Sequence, residues 1–298
     1  MAPKPSAASL RVATYNIHKG VLRDLFGLRH VNRIHELRAR LHELDADLVL
    51  LQEVQGQHDH HAQRFEHWPD EPQAMFLAKS PTLKRAFESA YGSNAHYLHG
   101  HHGNALLSNY PIVREENRDV SDHAMEKRGV LHCVIKIKQQ EVHVFVVHFG
   151  LFARSRDRQL QAVIDWASKA VPKDTPLIIG GDFNDWRNRL SKQLTETLGM
   201  SEVFDTQKPF LKRTQQFIFD VSEKLNEIGA KIDQQKLRLP RRVRAARTFP
   251  ALVPWLRMDR LYTRGFEVEK VQVLRGPKWA RLSDHSPLVA DLVLKKRT

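Results

Sequence analysis

A chain of 298 residues with 41% hydrophobic and 27% charged residues describes an ordinary globule with a real core, and no segment approaches the roughly 20 apolar residues needed to span a bilayer. Its single cysteine, Cys133, excludes an internal disulfide and a cysteine-rich zinc site, which fits a reducing compartment. The formal charge of +13, with pI ≈ 9.9, raises the local concentration of polyanions, whether nucleic acid, an anionic lipid surface or a phosphorylated metabolite.

The N-terminal stretch Met1 to Ala8 lacks the apolar run of a signal peptide, so a cytoplasmic location is expected. Residues 1–9 are expected to be mobile and 10–298 to form a single domain. Leu10 to Ile17 alternates and is β-branched, the pattern of a strand, and is followed by His18 and Gly20. Val31, Ile34, Leu37, Leu41 and Leu44 recur at steps of three and four and predict a helix. Asp47 to Leu51 is a continuous apolar strand that stops at Gln52-Glu53. A carboxylate at the end of a buried strand is costly unless it is paired, hydrogen-bonded or bound to metal.

Between residues 55 and 102 lie two histidine clusters, His58, His60, His61, His67 and then His96, His99, His101, His102. Imidazole suits zinc, copper and nickel, but the spacing is irregular and the surroundings polar, so solvated loops are the expectation. The second cluster leads directly into Gly103 to Ile112, a strand and then a turn, which makes His102 and Asn104 candidates for lining a site.

From Gly129 the pattern turns strongly β. Val130 to Ile137 and Val142 to His148 read as an antiparallel hairpin with Gln139-Gln140 as its connection. A helix is predicted across Asp157 to Ala170. The short apolar run Pro176 to Ile179 then ends in Gly180-Gly181 and offers Asp182, Asn184 and Asp185 in quick succession, oxygens suited to gripping a cation or a phosphate. Residues 189–199 look helical. Residues 213–236 carry apolar side chains at helical spacing and run into the densest basic tract, 237–247. Together they suggest a helical and basic insertion at about 208–250, either an arm that meets nucleic acid or anionic lipid or a packed helix with a solvated linker.

The polar residues of interest share one position. Asn16, Glu53, His148, Asp182, Asn184, Asp259, Asp284 and His285 all lie at the end of an apolar strand or in the turn beside it, where loops gathered at one end of a sheet build sites. Hard oxygen ligands suit magnesium, two histidines supply proton transfer near neutral pH, and a spare carboxylate can orient one of them. Hydrolysis of a phosphate ester is the economical inference.

Taken in order, TYNIHKG, LQEV, GNALLSNYPI, VVHFG, GGDFND, MDRLYTRG and SDHSPLVADL resemble the endonuclease/exonuclease/phosphatase superfamily from about Arg11 to Leu292. The resemblance implies an α+β sandwich of four layers, deoxyribonuclease-like, in which two mixed, mainly antiparallel sheets pack face to face between helices. It implies Glu53 as the main magnesium ligand, with Asn16 and Asp284 close to the metal and manganese as a substitute ion. It further implies that Asp182 and Asn184 position the attacking water, that Asp259 orients the acid/base His285, and that His148 bonds the phosphoryl oxygen. Asn104 and Arg128 are candidate phosphate contacts, and Arg241, Arg242 and Arg244 candidate substrate contacts.

Glu53-Val54-Gln55 and Asp259-Arg260 depart from the abasic-site endonuclease pattern. Trp186-Arg187 and Pro254-Trp255 are faintly similar to inositol phosphatases, whereas Phe183 is a nuclease feature. The expected activity is magnesium-dependent hydrolysis of phosphodiesters in DNA or RNA, with a phospholipid or inositol phosphate as the alternative substrate. No obligate protein partner is inferred.

Overall fold

The computed structural model describes residues 8–23, 29–82, 86–206 and 246–295. The first half of the chain forms β1 (Ser9–Asn16), β2 (Val21–Arg23), β3 (His30–Asn32), α1 (Ile34–Glu43), β4 (Leu48–His58), α2 (Asp59–Arg64), α3 (Gln73–Ala78), β5 (Glu88–Tyr97), β6 (Gly100–Ser108) and β7 (Ile112–Asp119). There follow β8 (Gly129–Ile137), β9 (Gln140–His148), α4 (Ala153–Ala170), β10 (Leu177–Asp182), α5 (Ser191–Leu198) and β11 (Ser201–Glu202). After the segment outside the description come β12 (Asp259–Arg264), β13 (Phe266–Val273), α6 (Pro277–Ala280) and β14 (Leu288–Leu294).

Two six-stranded sheets result, in the orders β13-β14-β1-β4-β6-β5 and β11-β12-β10-β9-β8-β7. In each sheet the third and fourth strands are parallel, β1 with β4 and β10 with β9, and the other neighbours are antiparallel. The period-two geometry of a strand divides its side chains between two faces. Val12, Leu48, Leu50 and Leu106 of one sheet meet Leu131, Val144, Val146 and Ile178 of the other in the central layer. The alternate residues Ala13, Tyr15, Val49 and Leu51 face outward beneath Ile34, Leu37 and Leu41 of α1. On the far side Phe145, Val147, Leu177 and Ile179 lie beneath Leu160, Val163 and Trp166 of α4. Central strands are therefore apolar on both faces, which explains why they read as unbroken hydrophobic runs. This is a four-layer α+β sandwich. No described helix is long and apolar enough to cross a membrane.

Several elements depart from the expectation. Val31 sits in β3, and α1 begins at Ile34. The β8–β9 connection is Lys138-Gln139, one residue earlier than expected, with Lys138 at φ 56°, as tight hairpins require positive φ. Only His67 and His99 of the histidine clusters lie in turns: β4 continues to His58, α2 carries His60 and His61, and β5 and β6 carry His96, His101 and His102. Ser9 already belongs to β1, and most of the expected 208–250 insertion, including Arg241, Arg242 and Arg244, lies outside the described residues.

Beneath α4, His132 Nε2 and His143 Nδ1 share a hydrogen bond of 2.9 Å, and His132 stacks on Phe145. Burial, reinforced by the facing histidine and by Arg114 and Arg118, pushes His132 down to about 3, and burial lowers His143 as well. In the unfolded chain both would take up protons near pH 6.5, while in the fold they resist, so stability falls as pH drops from about 6.5 toward about 3. Replacing His132 with Phe should flatten that slope by about one bound proton, measured by urea unfolding across pH. An unchanged slope would show that other groups set the acid sensitivity.

Candidate active site

The register of the central strands determines what meets at one end of the sandwich. Asn16 on β1 lies opposite Gln52 on β4, and Asp182 on β10 lies opposite His148 on β9 and Asp259 on β12. Strand ends from both sheets therefore deliver their polar residues to one place. Two glycines let the chain reach it. A Cβ on Gly180 would stand 2.7 Å from Leu261 and 2.9 Å from Leu50, in the tight gap between the sheets, and one on Gly181 would stand 1.8 Å from the Val147 carbonyl oxygen.

Asp182 is the hub. Its Oδ1 accepts the Asn184 backbone N–H at 3.0 Å, and its Oδ2 accepts from Asn16 Nδ2 at 3.2 Å. The same Oδ2 lies 3.6 Å from His148 Nε2 and 3.7 Å from His285 Nε2. Asn16 Nδ2 also reaches Glu53 Oε1 at 3.3 Å, while its Oδ1 accepts the His18 N–H, so one amide holds the two carboxylates in register. Behind this, Asp259 Oδ2 accepts a 2.8 Å hydrogen bond from His285 Nδ1, which leaves Nε2 directed at Asp182. Thr248 Oγ1 accepts the Asp259 N–H, Ser283 Oγ accepts the His285 N–H, and the Phe249 ring lies 4.9 Å from the imidazole. Ser283 donates to the Asn16 carbonyl and to Asp284 Oδ1, tying the last loop to β1.

The backbone is strained around this centre. His18, Lys19, Glu53 and Asn184 have φ of 46°, 61°, 56° and 50°. Glu53 sits within the irregularity between Leu51 and Val54 where β4 slips against β6. Left-handed conformations of this kind cost on the order of 1–3 kcal/mol each and persist where the surroundings over-determine them.

The electrostatics assign distinct states to the groups. Burial opposes charge on Glu53, but its neighbours His148, Lys19, His18 and His102 outweigh it and hold the carboxyl well below its usual range. His148 is itself driven well below its ordinary value by burial and by Arg128, and burial and Lys19 push His102 down to about 4. Lys19, 3.3 Å from Glu53 Oε2, is the direct ion-pair partner of Glu53. Burial and the Asp259 charge push Asp182 up to about 6 against the pull of His285. His285 is pushed up to about 10, because the carboxylates of Asp259 and Asp182 outweigh the cost of burying an imidazolium. At pH 7 the centre therefore holds a charged His285, a neutral His148 and mainly ionised Asp182.

Two observations bear on a metal ion. Glu53 Oε2 is a buried carboxylate oxygen with no hydrogen-bond partner, and so is Asp259 Oδ1. Among the described residues, Asp182, Asp259 and His285 form the one group of three whose ligand atoms lie within 4.8 Å of one another. Asp259 Oδ2 is committed to His285, so that group works as a hydrogen-bonded chain. Glu53 Oε2, a hard oxygen that accepts no hydrogen bond and faces the Lys19 ammonium, is the better seat for a divalent cation, which would take over the charge-neutralising place of the lysine.

The structure thus brings together Asn16, Glu53, His148, Asp182, Asn184, Asp259 and His285, with Asp284 tied in through Ser283. Asn184 gives its side-chain N–H to the Phe149 carbonyl at 2.9 Å, so its positive φ and its amide both brace the loop. Arg128 bonds Glu126 and the Lys127 carbonyl, its Nε has no partner, and its charge acts on His148. Asn104 gives its amide to the carbonyls of Gly129 and Val146, a clasp between the two sheets, and leaves Oδ1 unpartnered. Lys19, Ser283 and Thr248 were not foreseen as site residues. TYNIHKG contains the lysine, but only the left-handed backbone turns it toward Glu53.

The sequence profile of the Endonuclease/Exonuclease/phosphatase family matches residues 13–285. The chain belongs to this family. A relative, the uncharacterised protein YbhP of Escherichia coli K12, is 38% identical over 288 residues, which is 96% of this chain and 97% of YbhP. The mannosyl-6-phosphatase Bt3783 of Bacteroides thetaiotaomicron superposes with a TM-score of 0.63 at 16% identity, over 96% of this chain and 100% of that one. D. rerio TDP2 complexed with a single-strand DNA product gives a TM-score of 0.57 at 14% identity, over 96% and 99%. At such identities these structural neighbours establish the fold. Endonuclease/exonuclease/phosphatase proteins are phosphoester hydrolases that typically use a divalent metal.

Proposed function

We propose that this member of the family is a magnesium-dependent phosphodiesterase that hydrolyses its substrate by direct attack of water. The observation that carries the reading is the Asp182 carboxylate, placed between the Nε2 atoms of His148 and His285 with the Asp259–His285 pair behind it. Asp182, held by Asn184 N–H and Asn16 Nδ2, accepts the proton of the attacking water. His285, charged and oriented by Asp259, donates to oxygen where negative charge develops, and neutral His148 offers a second N–H. A divalent ion held by Glu53 and Asp284 would supply charge stabilisation at the phosphate and a lowered water pKa, with manganese able to take the place of magnesium. No covalent enzyme intermediate is required.

The +13 charge favours nucleic acid as the substrate. A second reading, a phospholipid headgroup diester, is favoured by the exposed apolar side chains on the loops around the site. The deciding experiment is nicking of supercoiled plasmid by the purified protein with magnesium, with chelator, and with a His285→Ala control. Metal-dependent nicking that vanishes in the control, and weakens steeply with salt, is the expected result for a nuclease. Folded protein that leaves plasmid intact would exclude endonucleolytic cleavage of duplex DNA and favour the phospholipid reading.

A further inference from the structure

The large apolar side chains that remain exposed are not spread evenly. Among the described residues, all but Met75 and Val113 lie on segments at the end of the sandwich that carries the site. The strand register establishes this. The β5–β6 hairpin lies beyond Glu53 because Gly100 pairs with His58. The loop before β8 stands beside His148 because Val130 pairs with Val147. The loops after β9 and β10 follow His148 and Asp182 directly, and the loop before β12 leads into Asp259. One side chain from each shows the degree of exposure: Leu98 91%, Met125 90%, Phe152 61%, Trp186 43% and, from the last loop, Leu252 78% and Trp255 60%.

Exposed single hydrophobics are ordinary, but five loops around one mouth each presenting a large one are not. The charges between them are mainly positive. On the loops of Met125 and Trp186, and in the first turn of α4 beside Phe152, the exposed cations are Lys127, Arg187, Arg189 and Arg154. Of the neighbouring carboxylates, Asp122 is engaged with Arg158 and Glu126 with Arg128, and exposed Asp157 and Asp59 lie on α4 and α2 behind the loops. Aliphatic and aromatic tips interleaved with lysine and arginine make an interfacial composition: the apolar ends enter the acyl boundary, the rings rest at headgroup level and the cations meet anionic phosphates. A solvated sugar-phosphate backbone has use for the cations but not for Leu98, Met125 or Leu252.

We propose that this rim docks the protein, site downward, on the surface of a membrane containing anionic phospholipid. The inference rests on the phospholipid reading above and deepens it, since docking would bring headgroup diesters to Asp182 without extraction of the lipid.

The test separates binding from turnover. Full-length protein carrying His285→Gln is sedimented with phosphatidylglycerol or phosphatidylcholine vesicles, and its tryptophan emission is recorded with vesicles whose acyl chains are brominated. The expected result is co-sedimentation with the anionic vesicles and, in a Trp68→Phe background, bromine quenching that is abolished by Trp186→Phe with Trp255→Phe because the two remaining tryptophans, Trp166 and Trp279, are buried. Leu252→Ser with Trp255→Ser should weaken vesicle binding about tenfold or more, with circular dichroism and melting unchanged. Vesicle binding indifferent to these replacements would overturn the proposal. So would absent vesicle binding with DNA binding that weakens in the same variants, which would make the rim a base-stacking platform. Phospholipid turnover is assayed apart, on detergent-dispersed lipid with the unmodified protein. Turnover there without vesicle binding refutes the docking surface, whereas vesicle binding without turnover supports docking and refutes the substrate reading.

Discussion

Replacing His285 with alanine should lower turnover by about 10³- to 10⁴-fold, because it removes the proton donor and the group that keeps Asp182 and Asp259 compatible in one buried site. The same change strands Asp259, whose Oδ1 already lacks a partner, and removing one member of a buried ion pair destabilises by about 3–5 kcal/mol. His285→Gln therefore serves as the informative companion, since it can still donate to Asp259. Both variants should be slow, and only the alanine should melt early. Asp259→Asn should keep the fold and lose about 10²- to 10⁴-fold through misorientation of the imidazole. The pH profile of kcat/KM on a soluble diester adds a readout that a structural role would not move. Asp182, pushed up to about 6, accepts a proton only when ionised, so the rate should rise through that region. His285, pushed up to about 10, donates only when protonated, so the rate should fall as pH passes that value. The two limbs belong to the coupled centre as a whole, and the alkaline limb should vanish in His285→Gln. A wild-type turnover in either His285 variant would remove this residue from the mechanism.

The second large effect is expected at Glu53. Glu53→Ala should reduce activity by about 10³-fold and raise the metal concentration needed for half-maximal rate, as loss of a hard ligand weakens a magnesium site. Glu53→Gly should be equally inactive yet more stable than Glu53→Ala by up to about 1 kcal/mol. The reason is conformational: at φ 56° glycine escapes the penalty that alanine retains, and only part of that gain is offset by its freer unfolded chain. Metal titration followed by activity, and thermal melts of both variants, check the two halves. An unchanged metal requirement would place the ion at Asp182, Asp259 and His285 instead.

The strand ends were legible in the sequence because their strands are covered on both sides. Leu48 to Leu51, Val142 to Val147 and Leu177 to Ile179 contain no polar residue except His143, so the first polar groups after them, Gln52-Glu53, His148 and Asp182, stand out. The edge strand β7 gave no such signal. Arg114, Glu115, Glu116 and Arg118 are exposed there and charged, as an unpaired edge needs to be. The histidine tract was misread for a related reason: β4, β5 and β6 run past the end of the core there, where no hydrophobic period marks a strand. Thr248 and Phe249 brace Asp259 and His285 through a threonine hydroxyl and a ring face, contacts with no local sequence signature. Lys19 became a site residue only through two successive left-handed backbone positions, which no propensity foretells.

The place of β1 between β4 and β14 has a consequence for how the molecule is made. β1 pairs with residues near the other end of the chain, Ser9 with Val293 and Thr14 with Leu288, so the first strand waits for the last before its sheet is complete. A chain emerging from the ribosome holds Asn16 and Glu53 long before Asp259 and His285 exist. The early strand keeps an open, apolar edge during synthesis, a setting in which long-range pairing is slow and aggregation competes. Assembly of the site is correspondingly deferred: the centre closes only when β14 docks, so the phosphoester-hydrolase site of this family member is completed by the last step of folding itself.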